Sequence, residues 1–277
     1  MGEKMIGAIC GDIIGSYYET HCTKDYNFEL FRRESCFTDD TVLTVAVCDA
    51  IIYNHSEVKG LLENRSRAKE YAYRFKQYSH RYPSVGFGIM FQNWAKEPTL
   101  NKQNSYANGG AMRVVPIGYA YSDLDSVLKQ AKLSCLYTHN NKEAIKGAQA
   151  IASAVFLARQ NFSKDEMKNY IQKQFKYDLS EPIEKIKDRF VFDSRARYTV
   201  PPAIMSFLQS TSFEDAIRKA VSLGGDADTI ACMTGGIAEA YYKSIPKNIK
   251  DKCWDMLDSE LRKTIRKFNE QFSFILT

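Results

Sequence analysis

Apolar residues along this chain recur at helical spacing, and the strict alternation that marks a half-buried strand is found almost nowhere. Ile230, Met233, Ile237, Ala238 and Tyr241 follow the helical period, as do the runs Val42 to Tyr53 and the Ala-rich Ala144 to Arg159. Such a chain buries its apolar stripes only by packing helix on helix. With 277 residues, 44% of them hydrophobic, the expected fold is all-α, one compact domain over 1–277 with ten or more helices. No linker, low-complexity segment or repeat period divides it.

Local signals place several helix boundaries. Ser163 with Glu166 spells a capping box, and Ser212 with Asp215 a variant of one. Leu124 to Leu136 and a charged amphipathic stretch over 58–80 read as helices, and Pro201-Pro202 is expected to open another. Gly7, Gly11 and Gly15 would form a smooth line along a helix, open to close approach by another backbone. From Gly15 the chain is expected to leave that helix. Residues 26–37 read as a loop, and 175–198 as the least periodic and most mobile segment.

The net charge of +5, from 38 basic and 33 acidic residues, is scattered. No basic stripe with interleaved aromatics argues for nucleic acid. No run approaches the ~20 apolar residues of a membrane span. Met5 to Ile14 is too short, and too interrupted by Asp12, for a secretory signal, and Ile6 spoils a myristoylation motif after Met1-Gly2. Seven cysteines form no C-x-x-C pair, and the His21, Cys22 and Cys36 spacing fits no standard zinc pattern. A cytoplasmic monomer with reduced thiols is expected.

Two oxygen-rich clusters carry the chemistry. Gly224-Gly225-Asp226-Ala227-Asp228-Thr229 and Thr38-Asp39-Asp40-Thr41 each stand just ahead of an apolar helical run. One acidic residue there is an ordinary cap. Paired carboxylates with a hydroxyl, repeated far apart in sequence, suggest one shared site for one or two hard cations such as Mg²⁺. Two loops add candidates for ligand contact: the Gly86-Phe87-Gly88 stretch, and Ser105 to Arg113, whose Gly109-Gly110 pair can present backbone N–H groups to a phosphate. His139 lies at a junction between two helices.

Gly11-Asp12, Gly15-Ser16-Tyr17-Tyr18-Glu19, Thr38-Asp39-Asp40-Thr41, Ser105 to Arg113, Thr138-His139 and Gly224 to Thr229 stand in an order that resembles the ADP-ribosylglycohydrolase family, over about residues 5–243. The Ser16 to Glu19 and Ser105 to Arg113 stretches resemble the branch acting on ADP-ribosyl-serine, poly(ADP-ribose) and O-acetyl-ADP-ribose. The resemblance implies an orthogonal all-α fold with a central cleft holding two Mg²⁺ ions, with Mn²⁺ as an alternative. It implies Thr38, Asp39, Asp40, Asp226, Asp228 and Thr229 as metal ligands, and Glu19, on a mobile flap, with Asp39 and Asp40 in catalysis. It further implies Gly86, Phe87, Gly88, Ser105, Tyr106, Asn108, Gly109, Gly110, Met112 and His139 around ADP-ribose. The substrate would be an ADP-ribosylated protein or an ADP-ribose-containing small molecule. Other readings are an ADP-ribosyl-arginine hydrolase, a non-catalytic member of the fold, and a Mg²⁺-dependent phosphoesterase. Intact acidic clusters oppose a non-catalytic member, since like charges held together cost stability without a cation. Ala107 stands where the family usually has Gly, which would strain the loop if that position needs positive φ.

Overall fold

The structure, a computed structural model, describes residues 4–57 and 63–272. Met1 and Gly2, and the first five positions of the helix expected over 58–80, lie outside the described residues. Among the described residues there are fourteen α-helices and no named strand. The all-α expectation holds. Among these residues extended pairing is limited to two isolated bridges, Asn104 with His139 and Ala107 with Arg195.

Helix α12 (Ala227–Tyr242) is the axis of the fold. Its residues from Ala227 to Ala240 are all buried, so it behaves as a core helix with no solvent face. Helix α1 (Gly7–Thr20) lies against it, and α7 (Lys142–Arg159), α10 (Ala196–Leu208) and α11 (Phe213–Val221) pack around it. The glycine line explains the α1–α12 contact. A Cβ on Gly7 would fall 2.4 Å from the Gly235 oxygen, one on Gly11 2.0 Å from the Ala231 oxygen, and one on Gly15 2.5 Å from Asp228 Cα. Contacts descend α12 as they climb α1, so the two helices are antiparallel with backbones touching. The seam is anchored at its far end, where Gly7 N–H donates to Glu239 Oε2 at 2.7 Å. Burial pushes that carboxyl up to about 7, against the lowering effect of backbone N–H groups at Gly7, Ile6 and Met5.

Helix α2 (Asp39–Glu57) begins beside the middle of α1 and continues to α3 (Glu63–Arg81) and α4 (Ile89–Lys96). A 3₁₀ turn at Asn108–Gly110 leads into α5 (Val115–Ala120), and α6 (Leu124–Cys135) runs back toward α7. The capping box at Ser163 opens α8 (Lys164–Phe175). At Ser212 only half a box forms: its hydroxyl accepts from Asp215 N–H, while the Asp215 carboxylate turns to Thr211, Tyr26 and Lys219. Helices α13 (Lys247–Asp255) and α14 (Ser259–Phe272) close the order.

Two expectations are corrected. Helix α1 does not fray at Gly15 but continues to Thr20, because its small face stays packed on α12 as far as Asp228. Pro201 and Pro202 do not open α10; they lie inside it, five and six residues after Ala196. The carbonyls they leave without helical donors belong to Arg197 and Tyr198, which are exposed to water. The aperiodic segment 175–198 contains helix α9 (Ile183–Arg189), too short to register as a period.

All seven cysteines are free, five buried and two, Cys22 and Cys36, exposed. Among the described residues no helix is long and apolar enough to cross a membrane.

Candidate active site

The antiparallel seam brings the C-terminal half of α1 to the N-terminus of α12, and α2 starts against both. Asp12, buried on α1, accepts from the Thr38 N–H at 2.9 Å and the Thr38 hydroxyl at 2.6 Å. It also accepts from the Thr41 N–H at 3.1 Å and the Thr41 hydroxyl. One helix thus supplies the cap of another, satisfying orphan donors in the first turn of α2. Asp39 and Asp40 are thereby left free to face the site.

Across the cleft, Gly224 and Gly225 both adopt φ of +72°, a bend that side chains resist, and deliver Asp226 to the N-cap position of α12. Asp226 does not cap that helix with its side chain. Its carboxylate instead accepts from Asn108 Nδ2 at 2.7 Å, tying the Gly-rich loop to α12. The Thr229 hydroxyl donates to Asp40 Oδ2 at 3.1 Å, joining α12 to α2. An ordinary capping role for these acidic residues is therefore insufficient.

Carboxylate oxygens of Asp12, Asp40 and Asp228 lie within 4.8 Å of one another, as do those of Glu19, Asp226 and Asp228, so Asp228 belongs to both groups. Burial, reinforced by the neighbouring carboxylates, pushes the Asp40 and Asp228 carboxyls well above the usual range. Burial, then Asp12 and Asp226, pushes Asp39 up to about 8. Asp12 and Asp226 also rise through burial, although hydrogen bonds from Thr38 and Thr41, and from Asn108, respectively oppose it. Glu19, at the exposed rim, is raised by partial burial and then by Asp226 and Asp12. Among the described residues no Lys or Arg forms an ion pair with any of these six. Asp40 Oδ1 is buried without a hydrogen-bond partner among the described residues. An all-oxygen donor set with uncompensated negative charge and an orphaned carboxylate oxygen fits a hard divalent cation.

The acidic floor opens into a cleft of about 350 Å³. Its walls come from the Val85 to Phe91 stretch, from Gln103 to Met112, from Thr138-His139, and from Phe192 and Ser194. A family model described as ADP-ribosylglycohydrolase matches residues 3–274. The chain belongs to the ADP-ribosylglycohydrolase family. It is 27% identical to the ADP-ribosylhydrolase ARH3 of Homo sapiens, over 95% of this chain and 93% of that protein. It is 24% identical to the ADP-ribosylarginine hydrolase Tri1 of Pseudomonas putida (strain GB-1), over 86% of this chain and 69% of that protein. A solved structure titled ADP-ribosylglycohydrolase-related protein complex superposes with a TM-score of 0.69 at 22% identity, covering 98% of this chain and 96% of the other, a likeness of fold. The chain is thus an ADP-ribosylglycohydrolase, an enzyme of glycosidic bonds to ADP-ribose.

In this glycohydrolase, Glu19, Thr38, Asp39, Asp40, Gly86, Gly88, Ser105, Asn108, Gly109, Met112, His139, Asp226, Asp228 and Thr229 all border the cleft. Glu19 does so from the last turn of a helix, not from a loop. Phe87, Tyr106 and Gly110 do not line it. Phe87 turns inward and stacks on Phe91 with ring centroids 5.1 Å apart. Tyr106 is 57% exposed and borders a separate shallow pocket with Arg195 and Arg197. Gly110 is buried behind the wall, against Cys135 and His139. Ala107 has φ of −71°, so Ala there carries no strain. Sequence reasoning gave Asp12 no role and overlooked Ile89, Met90, Gln103, Phe192 and Ser194. Only Asp12 had a signal, its seven-residue spacing from Glu19 on one helical face.

Proposed function

We propose that this glycohydrolase is a Mg²⁺-dependent enzyme, with Mn²⁺ as a substitute, that frees ADP-ribose from serine side chains or related O-glycosides by cleaving the bond at ribose C1″. The observation that carries the reading is the convergence of carboxylate oxygens of Asp12, Asp40 and Asp228, and of Glu19, Asp226 and Asp228, with half-buried Asp39 bordering the same ligand-sized cleft and no ion-pair partner among the described residues. Two cations would be held by Thr38, Asp39, Asp40, Asp226, Asp228 and Thr229, with Asp12 added to that set. When bound they supply positive charge that orients ribose hydroxyls and makes a nearby water more acidic.

The remaining chemistry belongs to the chain. Cleavage at C1″ develops oxocarbenium character, which carboxylates around the ribose stabilise. Glu19 is the carboxylate nearest the cleft mouth and moves the proton between water and the leaving oxygen. Asn108 holds Asp226 in place, and Gly86, Gly88, Ser105 and Gly109 keep the walls low enough for ADP-ribose to lie against backbone. The serine preference rests on the Ser16 to Glu19 and Ser105 to Arg113 stretches; likeness to ADP-ribosylhydrolase ARH3 supports the hydrolysis itself. Arginine linkage is the second reading, favoured by likeness to an ADP-ribosylarginine hydrolase. The proposed enzyme acts as a single-domain cytoplasmic monomer.

The deciding experiment measures free ADP-ribose released from peptides ADP-ribosylated on Ser or on Arg, with Mg²⁺ and with chelator. Release from the Ser peptide alone, lost in chelator and restored by Mg²⁺ or Mn²⁺, is expected. Release from Arg alone moves the substrate to the second reading, and undiminished release in chelator removes the metal from it.

A further inference from the structure

Arg113 follows the Gly-rich loop and is fully buried behind the cleft wall. Its guanidinium lies 3.9 Å from the Phe75 ring centroid and forms no ion pair among the described residues. Nη2 donates to the Ser134 carbonyl at 3.2 Å and to the Thr138 hydroxyl at 2.6 Å, while Nε and Nη1 have no hydrogen-bond partner among the described residues. Burial lowers its pKa to about 10, which still leaves it charged at neutral pH. A cation kept in so poor a setting invites the question of what it does there.

Donor counting answers it. A guanidinium only donates, so the Thr138 oxygen must accept from Arg113. The hydroxyl oxygen could accept a second bond, but its one hydrogen has no acceptor among the described residues other than His139 Nδ1, 2.9 Å away, so only donation to Nδ1 satisfies it. A ring nitrogen that accepts carries no proton, so a neutral imidazole holds its proton on Nε2. Burial and then the charge of Arg113 push His139 well below the usual imidazole range, which keeps it neutral. The ring is also fixed through its backbone: His139 N–H donates to the Cys135 carbonyl at 2.7 Å, and His139 bridges to Asn104. Nε2 has no protein partner among the described residues, on a ring that lines the cleft. The space beside it exists because residue 109 is Gly; a Cβ there would fall 3.0 Å from Nε2.

We propose that Arg113 and Thr138 are positioning residues that lock His139 as the neutral Nε2–H tautomer, aiming one N–H donor at an acceptor oxygen of ADP-ribose in the cleft. The identity of that ligand rests on the function proposed above; the tautomer does not. An imidazolium at this place would set a second buried positive charge beside Arg113, whereas the neutral donor binds oxygen without it.

The test is nitrogen NMR of the full chain with ¹⁵N-labelled histidine, in Mg²⁺, with the His139 signals assigned by their loss in His139→Gln. The expected result is an unprotonated Nδ1 and a protonated Nε2, unchanged from about pH 5.5 to 8, where a free imidazole titrates. Thr138→Val is expected to shift the population toward the other tautomer and to raise the calorimetric Kd for ADP-ribose about ten-fold, the effect of one misdirected hydrogen bond. Thr138→Ser keeps the hydroxyl and should restore both. A protonated Nδ1 in the wild type, titration near the ordinary imidazole value, or an unaltered tautomer in Thr138→Val would overturn the proposal. A wild-type chain that binds no ADP-ribose sinks the functional reading instead, and the NMR result then decides the tautomer alone.

Discussion

Asp12 and Glu19 share a helix and a face but differ in kind. Asp12 is buried and its oxygens are occupied by Thr38 and Thr41. Glu19 is exposed at the rim and has no fixed donor among the described hydrogen bonds. A proton carrier needs the second condition, since it must change state during each turnover. Glu19→Gln keeps the size of the side chain and removes that ability. It is expected to lower kcat by ~10²-fold or more with little change in melting temperature; turnover near the wild-type value would remove Glu19 from proton transfer. Reading the sequence reached Glu19 through its motif but left Asp12 without a role. Its seven-residue spacing from Glu19 placed it on the right helical face but gave it no task, because the partners that define that task lie 26 and 29 residues away. The same limit applies to Phe87, Tyr106 and Gly110. A motif says which residues are near a site, but the loop geometry decides which of them face it.

At the scale of elements, the seam between α1 and α12 sets the distance between the carboxylate groups. Gly11 is its tightest point: a Cβ there would fall only 2.0 Å from the Ala231 oxygen. Because the obstacle is backbone on a fully buried helix, no side chain can swing aside. Gly11→Ala is expected to cost ~1–3 kcal/mol or more in urea unfolding, typical of overpacking. It should also weaken Mn²⁺ binding, read by calorimetry, because Asp12 and Asp228 move apart. Wild-type stability in that variant would show that the helices can separate freely. The glycine line on α1 was visible in sequence, since a four-residue period is a local property. Its partner was not, because Ala231 and Gly235 are small residues in a run that any core helix could contain. Likewise the prolines in α10 suggested a helix start, where the surface exposure of Arg197 and Tyr198 allows them inside.

For the whole molecule, the acidic cluster is expected to make stability depend on cation and pH together. Asp39 is raised to about 8 in the fold, and Asp12, Asp40, Asp226, Asp228 and Glu19 move the same way. The cation-free fold therefore binds protons that the unfolded chain has released, between about pH 4 and 8. Its stability must fall as pH rises through that window. Melting curves in chelator are expected to shift down from pH 5 to 8, and the gain on adding Mg²⁺ should be larger at the upper end. A gain independent of pH would mean that these carboxylates are not where the cation binds. The all-helical architecture was legible because apolar period is written along every long segment. Phe192 and Ser194 were not, since they sit in irregular chain between short helices and reach the cleft only through tertiary packing. The antiparallel seam also orders events in synthesis. Asp12, Asp39 and Asp40 emerge early from the ribosome, but Asp226 and Asp228 follow nearly two hundred residues later. A nascent chain ending before α12 carries half of the proposed donors and nothing opposite them, so on that reading the enzyme cannot act on its surroundings until most of it has been made.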